Sequence, residues 1–276
     1  MHQAKIITLP DGLRLPDGVC NPVRHPTFYC NLSLSSYSDG RYMNFDNTKS
    51  IPHFTGRKLK KNILELLSRK DFEKSLEAIR QLPSRQAVNP LFSFFCSTDE
   101  IVKWHAVTAM GAVVSDLAEH DMESARVIMR RLLWNLNDES GGIGWGSPEA
   151  MGEIMARSEK LAAEYHRILI SYIREDGNFI EHKILQRGVL WGLGRLAHAR
   201  PELVWDAAPF LCPYMTSEDV TIRGLAAWTA SALDAEVTRP LLKQLANDNG
   251  KIMLFLEGRL AECFVSQLAG SVKEVV

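Results

Sequence analysis

The sequence predicts an all-α fold, an α-α superhelix of stacked helical hairpins preceded by an irregular N-terminal arm. Three observations carry that prediction. From Gly56 onward apolar residues recur at three and four positions, as in Ile63, Leu66, Leu67 or Ile128, Leu132, Leu136. Acid-containing turns recur near Asp99, Asp138, Asp176, Asp219 and Asp248, at intervals of 39, 38, 43 and 29 residues, the range of helical-hairpin solenoids. The helix after each turn is dense in small residues, as in "HKILQRGVLWGLGRLA" and "VTIRGLAAWTASAL", and small residues let helix backbones approach closely.

Residues 1–55 read differently, being rich in Pro, Gly, Asn, Ser and Tyr with short β-prone pieces such as "TFYCNLSL". They are expected to form an arm or cap that packs on a helical repeat domain of residues 56–276. That domain opens on "GRKLKKNILELLSRKDFEK", whose Arg57, Lys58, Lys60, Lys61, Arg69, Lys70 and Lys74 read as the solvated face of a first hairpin. About five repeats are then expected, each an outer helix, an acid-containing turn and an inner helix. No strand is expected after Gly56.

The composition sets further bounds. With 46% hydrophobic residues, 24% charged residues and a formal net charge of -1, the chain lacks the basic excess that drives phosphate-backbone binding, so nucleic acid is not an expected partner. Its five cysteines are odd in number, scattered and without a C-x-x-C pair, which favours a reducing compartment over a disulfide framework. The N-terminus has no basic n-region with a long apolar run, and nowhere do ~18 apolar residues follow one another. A cytoplasmic protein without a membrane span is the expectation.

The repeat units resemble HEAT-like repeats of the ARM-type superhelix, in particular the degenerate phycobilisome-lyase type. That inner helix has an acid in the turn, then Val, a basic residue, small residues and a Leu-Gly pair. Here "DEIVKWHAVTAMG" keeps Asp99, Val102, Lys103, Ala106, Met110 and Gly111, and "RGVLWGLG" keeps Leu193 and Gly194. The resemblance covers roughly residues 83 to 270, the last repeats depart from it, and it implies architecture with almost nothing about chemistry. The segment "ESGGIGWG" is also similar to one in a group of bacterial HEAT-like proteins, which implies no activity.

In such a stack the inner helices line a concave face, the first place to look for binding. Its polar and aromatic residues are Trp104 and His105, Glu149 and Glu153, then Arg187, Trp191 and Arg195, then Arg223 and Trp228. One reading has the tryptophans filling core and the arginines pairing with turn acids of adjacent repeats. The other is a concave pocket in which an aromatic wall and two arginines face Glu149 and Glu153.

The stretch "LNDESGGIGWGSPEAMGE" is the turn of the second repeat, lengthened by about eight residues, with four glycines between Gly141 and Gly146. Ser147 is expected to cap the following helix, Pro148 to open it, and Glu149 to favour its positive end. Asp138, Glu139, Glu149 and Glu153 would repel a phosphate, and there is no G-x-x-x-x-G-K-[ST] or preceding strand. A cationic ligand group, or a Lys or Arg of a partner protein, suits the loop better, with Trp145 offering a face for cation-π contact.

The expectation is therefore a non-catalytic binding or scaffold protein that uses Trp104, His105, Asp138, Glu139, Gly142, Trp145, Glu149, Glu153, Arg187, Trp191 and Arg223 to hold a partner segment or small ligand. The alternative is an enzyme with Glu149 or Glu153 as general base beside Arg187. A raised carboxylate pKa in a closed pocket would favour the enzyme. HEAT-like DNA glycosylases, which use a basic concavity, come third because the concave residues here are mixed in sign. No metal or cofactor is expected. Cys20, His25 and Cys30 lack a fourth ligand and tight spacing, and the paired His-Glu motifs of HEAT-like iron hydroxylases occur only reversed, as Glu119-His120 and Glu181-His182.

Overall fold

The computed structural model describes residues 56–137 and 144–270. The arm of residues 1–55, with Cys20, His25 and Cys30, and the loop residues Asp138, Glu139 and Gly142 lie outside the described residues.

A first hairpin pairs α1 (Gly56–Leu67) with α2 (Phe72–Arg80). Its apolar positions Leu59, Ile63, Leu66 and Leu67 are buried, while all seven of its basic residues named above are exposed, so the positive stretch is a solvated face. Four helical repeats follow, each an outer element and an inner helix: α3 (Ser84–Phe94) with α4 (Glu100–His120), α5 (Met122–Asn137) with α6 (Ser147–Arg157), and α7 (Glu159–Ser171) with α8 (Lys183–Ala199). In the fourth the outer element is broken into α9 (Pro201–Val204), a 3-10 turn and α10 (Ala208–Met215), and the inner helix is α11 (Val220–Leu233). Pro201 occupies the first turn of α9, where its missing N–H costs nothing.

The inner helices α4, α6, α8 and α11 pack one on the next, which is the predicted superhelix. Small residues set the spacing. A Cβ on Gly152 of α6 would run into the Cα and carbonyl of Gly192 on α8, so these helices meet backbone to backbone. The turn acids serve as caps where the pattern is regular: Asp99 accepts from the Ile101 and Val102 amides, and Asp219 from Thr221 and Ile222. Among the described residues no helix is long and apolar enough to cross a membrane.

Two expectations are corrected. After α12 (Arg239–Leu245) and the Asp248 turn, the place of a fifth inner helix is taken by an antiparallel hairpin of β1 (Lys251–Leu256) and β2 (Arg259–Phe264), followed by α13 (Val265–Ala269). The hairpin turns on Glu257 and Gly258, both at positive φ (48° and 79°), the two-residue turn whose twist matches the strands. Ser147 is also not the cap of α6. That position belongs to Gly146 at φ 75°, where a Cβ would strike the Phe95 ring, and the Ser147 hydroxyl is buried without a hydrogen-bond partner among the described residues.

Candidate functional site

The hairpin decides what the concave face can offer, because its tip crosses the inner helices. Phe255 stacks on Trp104 with centroids 5.1 Å apart and planes 5° from parallel, and its carbonyl accepts from Trp191 Nε1 at 3.2 Å. Trp104 and Trp191 lie 4.6 Å apart. His105 places Nδ1 2.6 Å from the Leu67 carbonyl and Nε2 3.4 Å from that of Gly258, with its ring stacked on Phe72 at 3.7 Å. The prediction that Trp104, His105 and Trp191 form an open binding wall is therefore corrected: all three are buried, and the occupant is the chain's own hairpin. Apolar rings on adjacent inner helices are better covered than left in water.

The two predicted arginines join successive repeats. Arg187 donates to Asp219 at 2.6 Å, and Arg223 to Asp248 at 2.6 Å and to the Ser217 carbonyl at 2.7 Å. Each thus reaches the turn acid of the next repeat. Arg187 is thus paired with Asp219, and among the described residues no ion pair joins it to Glu149 or Glu153.

The remaining predicted residues fall into two cavities on the inner helices. Trp145 and Glu149 share one of about 250 Å3 with Lys103, Glu100, Ile184 and the turn Phe95–Thr98. Trp145 is 39% exposed, whereas Glu149 is 6% exposed. Glu149 Oε1 lies 3.9 Å from Lys103 Nζ, and Oε2 is buried against Gly188 with no hydrogen-bond partner among the described residues. Burial pushes its carboxyl pKa above the usual range, with the Lys103 charge opposing. Lys103 also sits 5.0 Å over the Trp104 ring.

Glu153, one turn further along α6 and 3% exposed, borders a second cavity of about 350 Å3 beneath the hairpin tip. Both its oxygens are held, Oε1 by Arg157 Nε at 2.6 Å and Oε2 by Arg195 Nε at 2.7 Å. A still larger cavity of about 570 Å3, between the Ile173–Gln186 segment and α10, contains none of the predicted residues.

Lys103, Arg157 and Phe255 join these cavities without being among the site residues the sequence points to. Arg157 had a legible signal, since Glu153 and Arg157 are four apart on one helix. Phe255 had none, since it lies in the nearly continuous apolar run "KIMLFL".

No family model matches the chain. A protein of Archaeoglobus fulgidus, described only as uncharacterised, is 30% identical over 119 residues, which is 43% of this chain and 56% of that protein; the chain thus spans little more than half the length of the relative it matches. Among solved structures, a designed armadillo repeat protein is similar with a TM-score of 0.43 and 14% identity, covering 76% of this chain and 96% of the design. A second such design, solved in complex with the peptide (KR)4, gives 0.41 and 15% over 69% of this chain and 92% of its own. An engineered protein gives 0.42 and 17% over 68% and 89%.

Proposed function

We propose that the chain is a non-catalytic binding protein that holds a small ligand, or the tip of a partner segment, by a cationic group in the Trp145–Glu149 cavity. The observation that carries this reading is Glu149 itself, a nearly fully buried carboxylate with an oxygen that accepts no hydrogen bond among the described residues. Leaving such a group without donors costs stability, and a ligand ammonium or guanidinium supplies them. Glu100 and Glu149 against Lys103 leave the cavity's formal balance negative. Trp145 adds an accessible ring face.

A second reading takes Glu149 as a general base, favoured by the upward direction of its pKa. Glu153 has no part in it, since two guanidinium bonds hold it as an acceptor. The glycosylase reading loses support because Arg187, Arg195 and Arg223 already pair with carboxylates, so their side of the concavity is not a free basic surface.

The test is calorimetric titration at pH 7 with butylguanidinium and its neutral isostere butylurea. Wild-type protein is expected to prefer the cation by at least roughly tenfold, and Trp145→Ala and Glu149→Gln each to weaken it by about 3- to 30-fold without loss of helicity. Equal binding of cation and isostere, or folded variants that bind as wild type does, removes the reading.

A further inference from the structure

The cavity beneath the hairpin tip has the opposite character. Arg157, in the last turn of α6, and Arg195, on α8, each turn Nε toward Glu153. A guanidinium is planar, so pinning Nε fixes the plane of the whole fork. Among the described residues the terminal NH2 groups of both forks meet no acceptor, and with side chains 32% and 31% exposed they open to solvent at the cavity. Donors held rigid by a buried carboxylate and left unanswered on their other edge are the arrangement that captures a planar oxyanion bidentately.

The rest of the cavity sets the ligand's body and charge. Trp191, Trp228 and His198 line it, His198 stacking on Trp228 at 4.9 Å and donating through Nε2 to the Trp228 carbonyl at 3.2 Å. Burial holds the His198 pKa below its usual value, with Arg195 adding to the effect, so the ring is a neutral flat surface at pH 7. Arg157 and Arg195 stand against Glu153 within the cavity and Glu257 at its rim, so the charged lining is formally balanced, with the two forks grouped about Glu153. The outer fork edges can take one carboxylate, and a second negative charge would face the rim carboxylate without a partner.

We propose that this cavity binds a monoanionic carboxylate carried on a flat apolar body, with the outer edges of the Arg157 and Arg195 forks taking the carboxylate and the His198 ring face under the Phe255–Gly258 tip taking the body. The site is independent of the Glu149 cavity and takes a ligand group of opposite sign.

The full chain is titrated by calorimetry at pH 7 with 2-naphthoate, 2-naphthamide and inorganic phosphate. Naphthoate is expected to bind at least about tenfold more tightly than either comparator. Arg157→Lys and Arg195→Lys, which keep the charge opposite Glu153 but lose the fork, are each expected to cost about tenfold for naphthoate and nothing for naphthamide. Naphthamide binding as well as naphthoate, phosphate binding more tightly, no binding of naphthoate at all, or Lys variants that bind naphthoate unchanged would each overturn the proposal. Should a Lys variant lose its helical signal, the wild-type chain still decides: naphthoate must protect Arg157 and Arg195 from phenylglyoxal, read by peptide mass spectrometry, and unprotected arginines overturn the site.

Discussion

Glu149 and Glu153 stand one turn apart on the same face of α6, both almost wholly buried, yet their surroundings differ completely. Glu153 has Arg157 four residues ahead on its own helix and Arg195 reaching from α8, so each oxygen receives a short charged bond. Glu149 has Glu153 four residues ahead instead of a base, and α8 presents Gly188 to it, a residue with no side chain to donate. Among the described residues its donors are its own backbone amide and the Lys103 ammonium from α4, the latter at 3.9 Å. Burial is common to both, so burial says nothing about role; the supply of donors separates a carboxylate that organises its neighbours from one that awaits a partner. The hairpin deepens the contrast, because its tip lines the Glu153 cavity and is absent from the lining of the other.

The largest effect is expected from the hairpin. Phe255→Ala deletes the ring stacked on Trp104, and the loss is expected to be about 3–5 kcal/mol in urea denaturation, with a red shift of tryptophan emission as Trp104 and Trp191 meet water. The carboxyl resonance of Glu149 should titrate unchanged in this variant. A stability and emission equal to wild type would show that the tip does not seat in the concavity. Next comes Glu153→Ala, which leaves two part-buried guanidiniums facing one another. Breaking a buried ion pair costs about 3–5 kcal/mol, and water reaching the arginines brings the expectation to the low end, about 3 kcal/mol at pH 7. If Glu149→Ala proves as destabilising as Glu153→Ala, the contrast between the two carboxylates collapses.

The helical frame could be read from the sequence because every repeat repeats its own evidence. Asp99 and Asp219 announce caps, the three-and-four spacing announces buried faces, and Gly152 and Gly192 announce close helix contact. The hairpin could not, for two physical reasons. Its turn residues Glu257 and Gly258 include only one that readily adopts positive φ, and the strand "KIMLFL" is nearly continuous in apolar residues, a run that does not distinguish strand from buried helix. The recurrence of a helix after the earlier acid-containing turns therefore points to a helix after Asp248, where the chain forms a hairpin. At the site, the Glu153–Arg157 pair is inscribed in helical spacing, whereas the choice of Arg195 as second partner is not. That choice depends on the register of α6 against α8, fixed where Gly152 meets Gly192, and no single helix contains that information. Arg187, predicted to face the acids, instead pairs with Asp219 in the turn of the next repeat.

The smallest effect is the most specific to Glu149, because it reverses the usual sign. Burial raises the folded-state pKa of this carboxyl above its unfolded value, so between those two values the folded chain keeps a proton that the unfolded chain has released. Stability contributed by the protonated form is therefore fully present below the unfolded pKa, near 4.3, falls as pH rises toward the folded pKa, and levels off above it. Glu149→Gln removes the titration while keeping shape. It is expected to match wild type near pH 4 and to exceed it at neutral pH by roughly 0.5–2 kcal/mol, the gain typical of relieving a site held against stability. The same substitution at Glu153 should lower stability at neutral pH, since there the charge is what the arginines hold. Urea midpoints of both Gln variants across pH 4 to 8 decide the matter: parallel curves for the two would mean that Lys103 satisfies Glu149 as fully as two guanidiniums satisfy Glu153, and that the unpartnered oxygen marks no vacancy for a ligand.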